Sequence, residues 1–219
     1  YFASTNGKNG FENEIPIGET CCQCCRTDLF VDSKNNIHVA YRDIIDDSIR
    51  DMVHVISSDQ GKTFSIPERI SADNWAINGC PHSGPAMAEN KNGLQFAWYT
   101  LGNGKGVFYC HSTDNGKTFS LPDSVSGKSS AKHPQIATLD NGDVVIVWDE
   151  SAGGEKYIAR IGFEHRTAEG KKISRRYITT NDSTSEFPVI KVVDSKTVFV
   201  AYSNGNGKKK TVYYQIINL

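Results

Sequence analysis

Five of the six cysteines in this 219-residue sequence stand in patterns that can support chemistry. Four form the run Cys21-Cys22-Gln23-Cys24-Cys25, and Cys80 precedes His82 by two residues. An even number of cysteines is compatible with disulfides in an exported protein, including a Cys80–Cys110 pair. Clustered thiolates also bind Cu(I) or Zn²⁺. A redox or catalytic thiol is the third alternative.

The spacing of the run matches neither a zinc finger nor a c-type haem site, so the metal hypothesis depends on residues from other segments. His82 or His133 would complete the ligand shell of such an ion. The candidate metal ligands are Cys21, Cys22, Cys24, Cys25, Cys80 and His82, with Cu or Zn as the cofactor.

Short β-branched and aromatic runs separated by turn sequences indicate that these residues are carried by an all-β chain. No window shows a convincing 3.6-residue period, so helices are not predicted. The turns are rich in Asn and Gly, as in Lys91-Asn92-Gly93. Strands are predicted at residues 29–32, 37–42, 52–57, 94–100, 107–112, 144–149, 157–163, 189–193, 198–203 and 212–217.

Two repeats run through the chain in phase. SSDQGKTF at residues 57–64 and STDNGKTF at residues 112–119 begin 55 residues apart, with degenerate copies at 4–11 and 167–170. The second repeat is a strand, an Asn/Gly turn and a strand that ends on an aromatic residue: Tyr41, Trp98, Trp148 or Tyr202. A unit of about 54 residues with four strands is typical of a propeller blade.

Each octet predicts a turn in which the Asp side chain accepts backbone N–H groups and the Gly takes a positive φ. The octets resemble the Asp-box, or BNR repeat, of the sialidase-like β-propellers. In that family the box is a structural element, found in hydrolases and in non-catalytic binding propellers, so we interpret its Asp residues as turn stabilisers. The residues that carry the resemblance are Ser57, Asp59, Gly61, Thr63, Phe64, Ser112, Asp114, Gly116, Thr118 and Phe119.

The resemblance implies a propeller of four-stranded antiparallel blades and, in the enzymes of the family, a defined chemistry. Family members bind a sugar carboxylate with three arginines, use a Tyr paired with a Glu as nucleophile, and use an Asp as acid/base. The candidate catalytic residues are therefore Arg26, Arg42 and Glu186, and the candidate ligand-binding residues are Trp75, Arg50 and His133. Trp75 has two interpretations, stacking on a sugar face or packing between blades.

Two departures from the family weaken the enzyme hypothesis. The Phe/Tyr-Arg-Ile/Leu-Pro motif that carries the first arginine is absent from the sequence. Glu186-Phe187 stands where the family's catalytic tyrosine is expected. We therefore expect that this chain does not cleave sialosides by itself.

The length of the chain fits about four blades, whereas sialidase-like propellers have six. We expect a single propeller domain, either closed with four blades or the C-terminal two-thirds of a six-bladed one. In the second case about two blades are missing or are supplied by another polypeptide. The predicted units are approximately 1–20, 21–79, 80–130, 131–184 and 185–219.

Aligning the units places four segments just before the inner strand of each blade. These mouth segments are residues 21–26, 80–85, 132–134 and 185–188. The starts of inner strands gather at one end of a propeller axis. The sequence therefore predicts that Cys24, Cys25, Cys80, His82 and His133 converge.

Composition limits the classes of partner and compartment. With 24 Lys+Arg against 25 Asp+Glu, the net charge of −1 provides no basic excess for nucleic acid. Hydrophobic residues at 38% and charged residues at 22% are typical of a globular domain, and no apolar run approaches the roughly 18 residues of a membrane span. Because the sequence starts at Tyr1 without a leader, we expect an exported protein whose leader was removed, or a fragment. The exported protein would be periplasmic, cell-surface or extracellular.

Three functions follow from these observations. The first is a carbohydrate-directed protein, either a glycoside hydrolase relative or a glycan binder, that uses an axial pocket. The second is a metal-binding or redox propeller built on the cysteine cluster. The third is a scaffold subunit of a larger assembly. Whether the chain is an enzyme stays open, and an exo-sialidase-like glycosidase is the activity expected if it is one.

Overall fold

The computed structural model describes residues 1–207 and 209–219, and the secondary structure of these residues is all β. No helix that could cross a membrane is found in this part of the chain. The prediction of an all-β chain is confirmed. Within the described residues the fifteen strands are β1 (Asp28–Val31), β2 (Ile37–Arg42), β3 (Met52–Ser57), β4 (Glu68–Arg69), β5 (Ala86–Asn90), β6 (Gly93–Thr100), β7 (Gly106–Ser112), β8 (Asp123–Ser126), β9 (Lys132–Thr138), β10 (Val144–Ser151), β11 (Ala159–Arg166), β12 (Lys172–Tyr177), β13 (Thr184–Asp194), β14 (Thr197–Asn206) and β15 (Lys209–Asn218).

The strands pair antiparallel with their sequence neighbours and form four successive sheets over the described ranges. The first sheet contains β1–β4, the second β5–β8, the third β9–β12 and the fourth β13–β15. The first strand of each sheet lies against the first strand of the next, β1 beside β5, β5 beside β9 and β9 beside β13. The starts of these four strands are therefore the places where side chains from different sheets can meet.

The core lies between neighbouring sheets, and β10 shows how the sequence builds it. Val144, Ile146 and Trp148 pack against the second sheet, whereas Val145 and Val147 pack against the fourth. Successive side chains of a strand point to opposite faces, so a strand covered on both sides has no polar alternation. This explains the continuous apolar run of β10.

Over residues 1–207 and 209–219, the first and fourth sheets each have one neighbouring sheet. Both sheets carry exposed apolar side chains, although the segment around Ile17 covers part of the first sheet. These residues are Leu29 and Val31 on β1, Val189 and Val193 on β13, and Val212, Tyr213, Tyr214 and Ile216 on β15.

The octets at residues 57–64 and 112–119 form the same turn, each after the third strand of its sheet. In the first octet the Gly61 N–H donates to Ser57 Oγ at 2.8 Å, and the Thr63 N–H donates to Asp59 Oδ1 at 2.9 Å. The corresponding bonds of the second octet are also 2.8 and 2.9 Å long. Gly61 lies at a φ of 84°, a left-handed conformation that glycine adopts without a steric penalty.

Both turn aspartates are held in the ionised form. Hydrogen bonds from the hydroxyl and N–H groups of Thr63, four residues later, and from the Ser57 hydroxyl lower the pKa of Asp59 to about 2. The equivalent threonine and serine lower the pKa of Asp114 to about 2. A carboxylate that accepts several local hydrogen bonds is a turn stabiliser, because its oxygens are already occupied.

Candidate functional site

The four mouth segments lie next to one another. The His133 N–H donates to Ser83 Oγ at 3.1 Å, which joins the third sheet to the second. Gly84 packs so closely on the backbone of Arg26 that a Cβ atom there would clash with it. The rings of His133 and Phe187 are 4.4 Å apart, which joins the third sheet to the fourth. Residues far apart in sequence therefore share one surface.

Three of the mouth segments share an unusual backbone conformation. His82, His133 and Phe187 have φ values of 55°, 51° and 55°; His82 precedes β5, whereas His133 and Phe187 lie near the starts of β9 and β13. A non-glycine residue in this left-handed region costs about 1–2 kcal/mol. Such residues are concentrated at functional sites, where the surrounding structure holds them in place.

The first mouth segment forms a thiol cluster. Cys22 Sγ is 3.4 Å from Cys24 Sγ and 3.5 Å from Cys25 Sγ. The three sulfur atoms lie within 4.8 Å of one another. Burial, with the neighbouring thiols, raises the pKa of Cys22 to about 12. In the described residues all six cysteines are free thiols, and Cys21 is exposed.

The second mouth segment reaches this cluster. Cys80 and the His82 N–H lie close enough to Cys24 to act on its pKa. Burial acts to raise the pKa of Cys24, but these two groups, with Cys22, lower it overall. Cys24 and Cys80 thus lie on the same side of the molecule, 56 positions apart in sequence.

Arg42 lies beneath the cluster and is only 1% exposed. Its Nη1 donates to the Arg50 carbonyl at 2.7 Å, and its Nη2 donates to the carbonyls of Ser83 (3.0 Å) and Tyr99 (2.7 Å). Burial lowers the pKa of Arg42, while the adjacent Cys25 thiol acts in the opposite direction. The guanidinium ties the first sheet to the second and presents no open edge to a ligand carboxylate.

An acidic group lies at the other side of the mouth. Asp149 Oδ2 is 2.8 Å from His133 Nδ1 and accepts the Phe187 N–H at 2.7 Å. Asp149 is buried, whereas the Phe187 ring is exposed. The carboxylate therefore fixes both the imidazole and the strained backbone beneath an accessible aromatic ring.

A tyrosine–glutamate pair adjoins this group. The Tyr157 hydroxyl donates to Glu186 Oε1 at 3.1 Å, and Lys210 Nζ donates to Glu186 Oε2 at 2.5 Å. Partial burial, together with the negative charge of Glu186, raises the pKa of Tyr157 to about 12. Tyr157 therefore keeps its proton at neutral pH and donates it in the hydrogen bond to Glu186.

Sequence reasoning missed Tyr157, because it lies 29 residues before Glu186 and on a loop of the neighbouring sheet. The family resemblance predicts a tyrosine near a glutamate, and that was the only available signal. Phe187 occupies the position where the tyrosine was expected, and the structure supplies a hydroxyl from Tyr157 instead.

The remaining predicted site residues differ in how accessible their side chains are. Trp75 is buried, with the Arg42 guanidinium 5.0 Å from its ring centroid, so its ring packs between sheets and is not open to a sugar. Arg50 is half-buried and donates to the Ile77 carbonyl at 3.1 Å. Arg26 and His82 are exposed at the mouth.

A cavity of about 260 Å³ lies away from the acidic group. It is lined by residues of the N-terminal segment and of the first two strands, among them Tyr1, Ile17, Cys21, Leu29 and Tyr41. The axial pocket expected from the sequence stays a prediction.

No protein-family model matches the chain, and no curated protein is significantly similar to it. Solved structures do resemble it. A protein of unknown function from Dyadobacter fermentans DSM 18053 has a TM-score of 0.71 at 18% identity over 99% of this chain. An alpha-L-arabinanase of Penicillium chrysogenum, complexed with arabinobiose, has a TM-score of 0.61 at 12% identity over 87% of the chain. The Hadza microbial sialidase Hz136 has a TM-score of 0.60 at 16% identity over 86%.

These likenesses establish the fold. The chain has the β-propeller fold of sialidase-like and glycosidase-like proteins. It covers 62%, 62% and 43% of the three structures, and so spans less than two thirds of their length.

Proposed function

We propose that this chain is a carbohydrate-directed propeller domain that binds a saccharide at the mouth around Phe187. The observation that carries the proposal is the pair of carboxylates on either side of this exposed ring. Asp149 accepts the Phe187 N–H, and Glu186 precedes Phe187 and accepts the Tyr157 hydroxyl. Carboxylates accept hydrogen bonds from sugar hydroxyls, and two of them around one ligand are the usual machinery of glycoside hydrolysis.

The fold supports the same proposal by analogy. Among the similar structures, one is an arabinanase and one a sialidase. A shared fold does not by itself define a function, so the proposal depends on the residues at the mouth. An aromatic face beside fixed polar groups suits a sugar ring, which has apolar faces and a polar edge.

The proposal favours binding over cleavage of sialosides. A carboxylate clamp requires open guanidinium groups, and Arg42 is bonded to three carbonyls. We therefore expect no turnover of a fluorogenic sialoside by this chain alone. Turnover that is lost in Arg26→Ala or Glu186→Gln would contradict this part of the proposal.

Further blades are part of the proposed architecture. The exposed apolar residues of β1, β13 and β15 lie on the two sheets that have one neighbour, which is where additional blades would pack. We propose that such blades, from the same or another polypeptide, close the ring. Six blades, export and the absence of a nucleic-acid partner stay predictions.

Saccharide binding is tested by calorimetric titration of the full chain with arabinobiose and, separately, with sialyllactose. We expect one of them to bind, and Glu186→Gln or Phe187→Ala to weaken binding at least about tenfold, the first through lost hydrogen bonds to a charged group and the second through loss of the aromatic face. Glu155→Gln is the matched control, since Glu155 is an exposed glutamate of the Tyr157 loop. Binding of neither saccharide, or equal binding by Glu186→Gln, would overturn the proposal.

A further inference from the structure

The thiol cluster is a separate feature from the acidic group at Phe187. A reverse turn, closed by the Cys25 N–H bonding to the Cys22 carbonyl at 3.1 Å, holds the three cysteines together. The Cys22 N–H bonds to the Arg42 carbonyl at 2.7 Å, which fixes this turn on the end of β2. The backbone thus positions three sulfur atoms within 4.8 Å of one another before any ligand binds.

A structural disulfide does not account for this arrangement. A disulfide needs two sulfur atoms at about 2.05 Å, whereas Cys22 Sγ is 3.4 and 3.5 Å from two different thiols. Pairing any two of the three would leave the third thiol beside the bond. Metal–sulfur bonds of about 2.3 Å place three trigonal thiolates about 4.0 Å apart, so Cys22 Sγ would have to move only about 0.5 Å from its two neighbours to share one small cation with them.

The charge of Arg42 provides a second, independent observation. This buried guanidinium donates to three neutral carbonyls, and no carboxylate in residues 1–207 or 209–219 forms an ion pair with it. Its Nε is buried without a hydrogen-bond partner. A buried cation needs a compensating negative charge nearby; the Cys25 and Cys22 sulfurs are the nearest groups that can provide one, and the Asp73 carboxylate acts more weakly on the same guanidinium.

We propose that Cys22, Cys24 and Cys25 bind one Cu(I) ion as a three-thiolate site. Soft thiolates select Cu(I) and Zn²⁺ among the common ions, and structural zinc is almost always four-coordinate. Three converging sulfurs suit Cu(I), which accepts trigonal coordination.

Binding is balanced in charge and protons. The three S–H bonds break, three protons are released to solvent, and three Cu–S bonds form without a change in oxidation state. The complex carries two negative charges. Arg42 lies beside Cys25, so one buried positive charge adjoins the complex.

The site extends across two sheets. Cys80 and the His82 N–H, which precede the second sheet, lie close enough to act on the pKa of Cys24, but Cys80 is exposed and lies outside the group of three. This assigns different roles to cysteines that the sequence grouped together. Cys21 is exposed and lies outside the group of three.

The test is anaerobic titration of the reduced full chain with Cu(I) in competition with bicinchoninate. We expect one equivalent to bind, about three protons to be released near neutral pH, and X-ray absorption to show three sulfur neighbours. Cys24→Ser and Cys25→Ser should each weaken binding at least about tenfold, because each removes a ligand. Cys21→Ser is the matched control and should bind as the unmodified chain does.

A second measurement needs no variant and so does not depend on how the variants fold. Alkylation of the unmodified chain followed by mass spectrometry should show that Cu(I) protects Cys22, Cys24 and Cys25 but leaves Cys21 reactive. Absence of competitive Cu(I) binding, or an equal loss in Cys21→Ser, would overturn the proposal. So would Zn²⁺ binding tighter than Cu(I) through four sulfurs with Cys80 among them.

Discussion

The octet turns and the mouth are both built around polar side chains, but they satisfy those side chains in different ways. In each octet the serine, aspartate, glycine and threonine bond to one another within seven residues. At the mouth the partners come from different sheets, as in the contacts of Asp149 with His133 and Phe187. The polar side chains of the turns are thus bonded mainly to one another.

The comparison shows why the strongest sequence signal is not the functional one. An octet repeats because the same eight residues form the same turn wherever they occur. The mouth does not repeat, since each sheet contributes a different side chain at one shared position: thiols, His82, His133 or Phe187. Similar backbone conformations there, with φ of 51° to 55° at three positions, carry different chemistry.

The largest effect on stability is expected from replacing Arg42, the buried cation at the mouth. Arg42→Met should lower the free energy of unfolding by about 3–5 kcal/mol, because three carbonyls lose their donor at once. Urea unfolding followed by tryptophan fluorescence measures the change. Arg26→Met is the control and should stay within about 0.5 kcal/mol, since Arg26 is exposed. A loss below 1 kcal/mol for Arg42→Met would show that the mouth does not depend on this guanidinium.

His54, which is buried against the second octet, should make the fold sensitive to mild acid. Burial first, and then the neighbouring His38, lower the pKa of His54 to about 4, and a Cβ on Gly116 of the octet would clash with its ring. The unfolded chain takes up this proton near pH 6.5, so stability is complete above pH 6.5 and is lost as the pH falls towards 4.

Between pH 6.5 and 5 the expected loss is about 2 kcal/mol, from 1.36 kcal/mol per pKa unit. Urea unfolding of the chain and of His54→Gln at both pH values measures it. The variant should lose much less over this interval. An equal loss in both proteins would mean that other groups cause the acid sensitivity.

The two octets should respond equally to the same change. Ser57→Ala and Ser112→Ala each remove the acceptor of a glycine N–H bonded at 2.8 Å and a donor to the aspartate. We expect each to lower the free energy of unfolding by about 1–2 kcal/mol. Values that differ between the octets by more than 1 kcal/mol would contradict their equivalence.

The smallest effect concerns the strained backbone at the mouth. At Phe187, with φ of 55°, glycine should be more stable than alanine by about 1 kcal/mol, the reverse of the usual order. Comparison of Phe187→Gly with Phe187→Ala by thermal unfolding tests this, because both variants lose the ring. If Phe187→Ala is as stable as Phe187→Gly, the backbone at position 187 is not strained.

Strands and turns were predicted unevenly from the sequence. The run at β10 was found because both of its faces are buried, and the octets were found because all their partners are local. The strand β12 (Lys172–Tyr177) was missed, since all six residues are exposed and only pairing with β11 makes them a strand. Arg175 Nε donates to Glu164 Oε2 at 2.7 Å across that pair, a contact that no local pattern reveals.

The sequence by itself determined the β class and the repeated turns, and it located the four mouth segments, of which two precede the first strand of their sheet and two lie within β9 and β13. These depend on side-chain alternation and on hydrogen bonds within a few residues. Only the tertiary structure decided which side chains meet. It buried Arg42 and Trp75, paired Tyr157 with Glu186, and separated Cys21 from the other three cysteines of its run. The physical reason is that these contacts join different sheets, and their geometry follows from how the sheets pack.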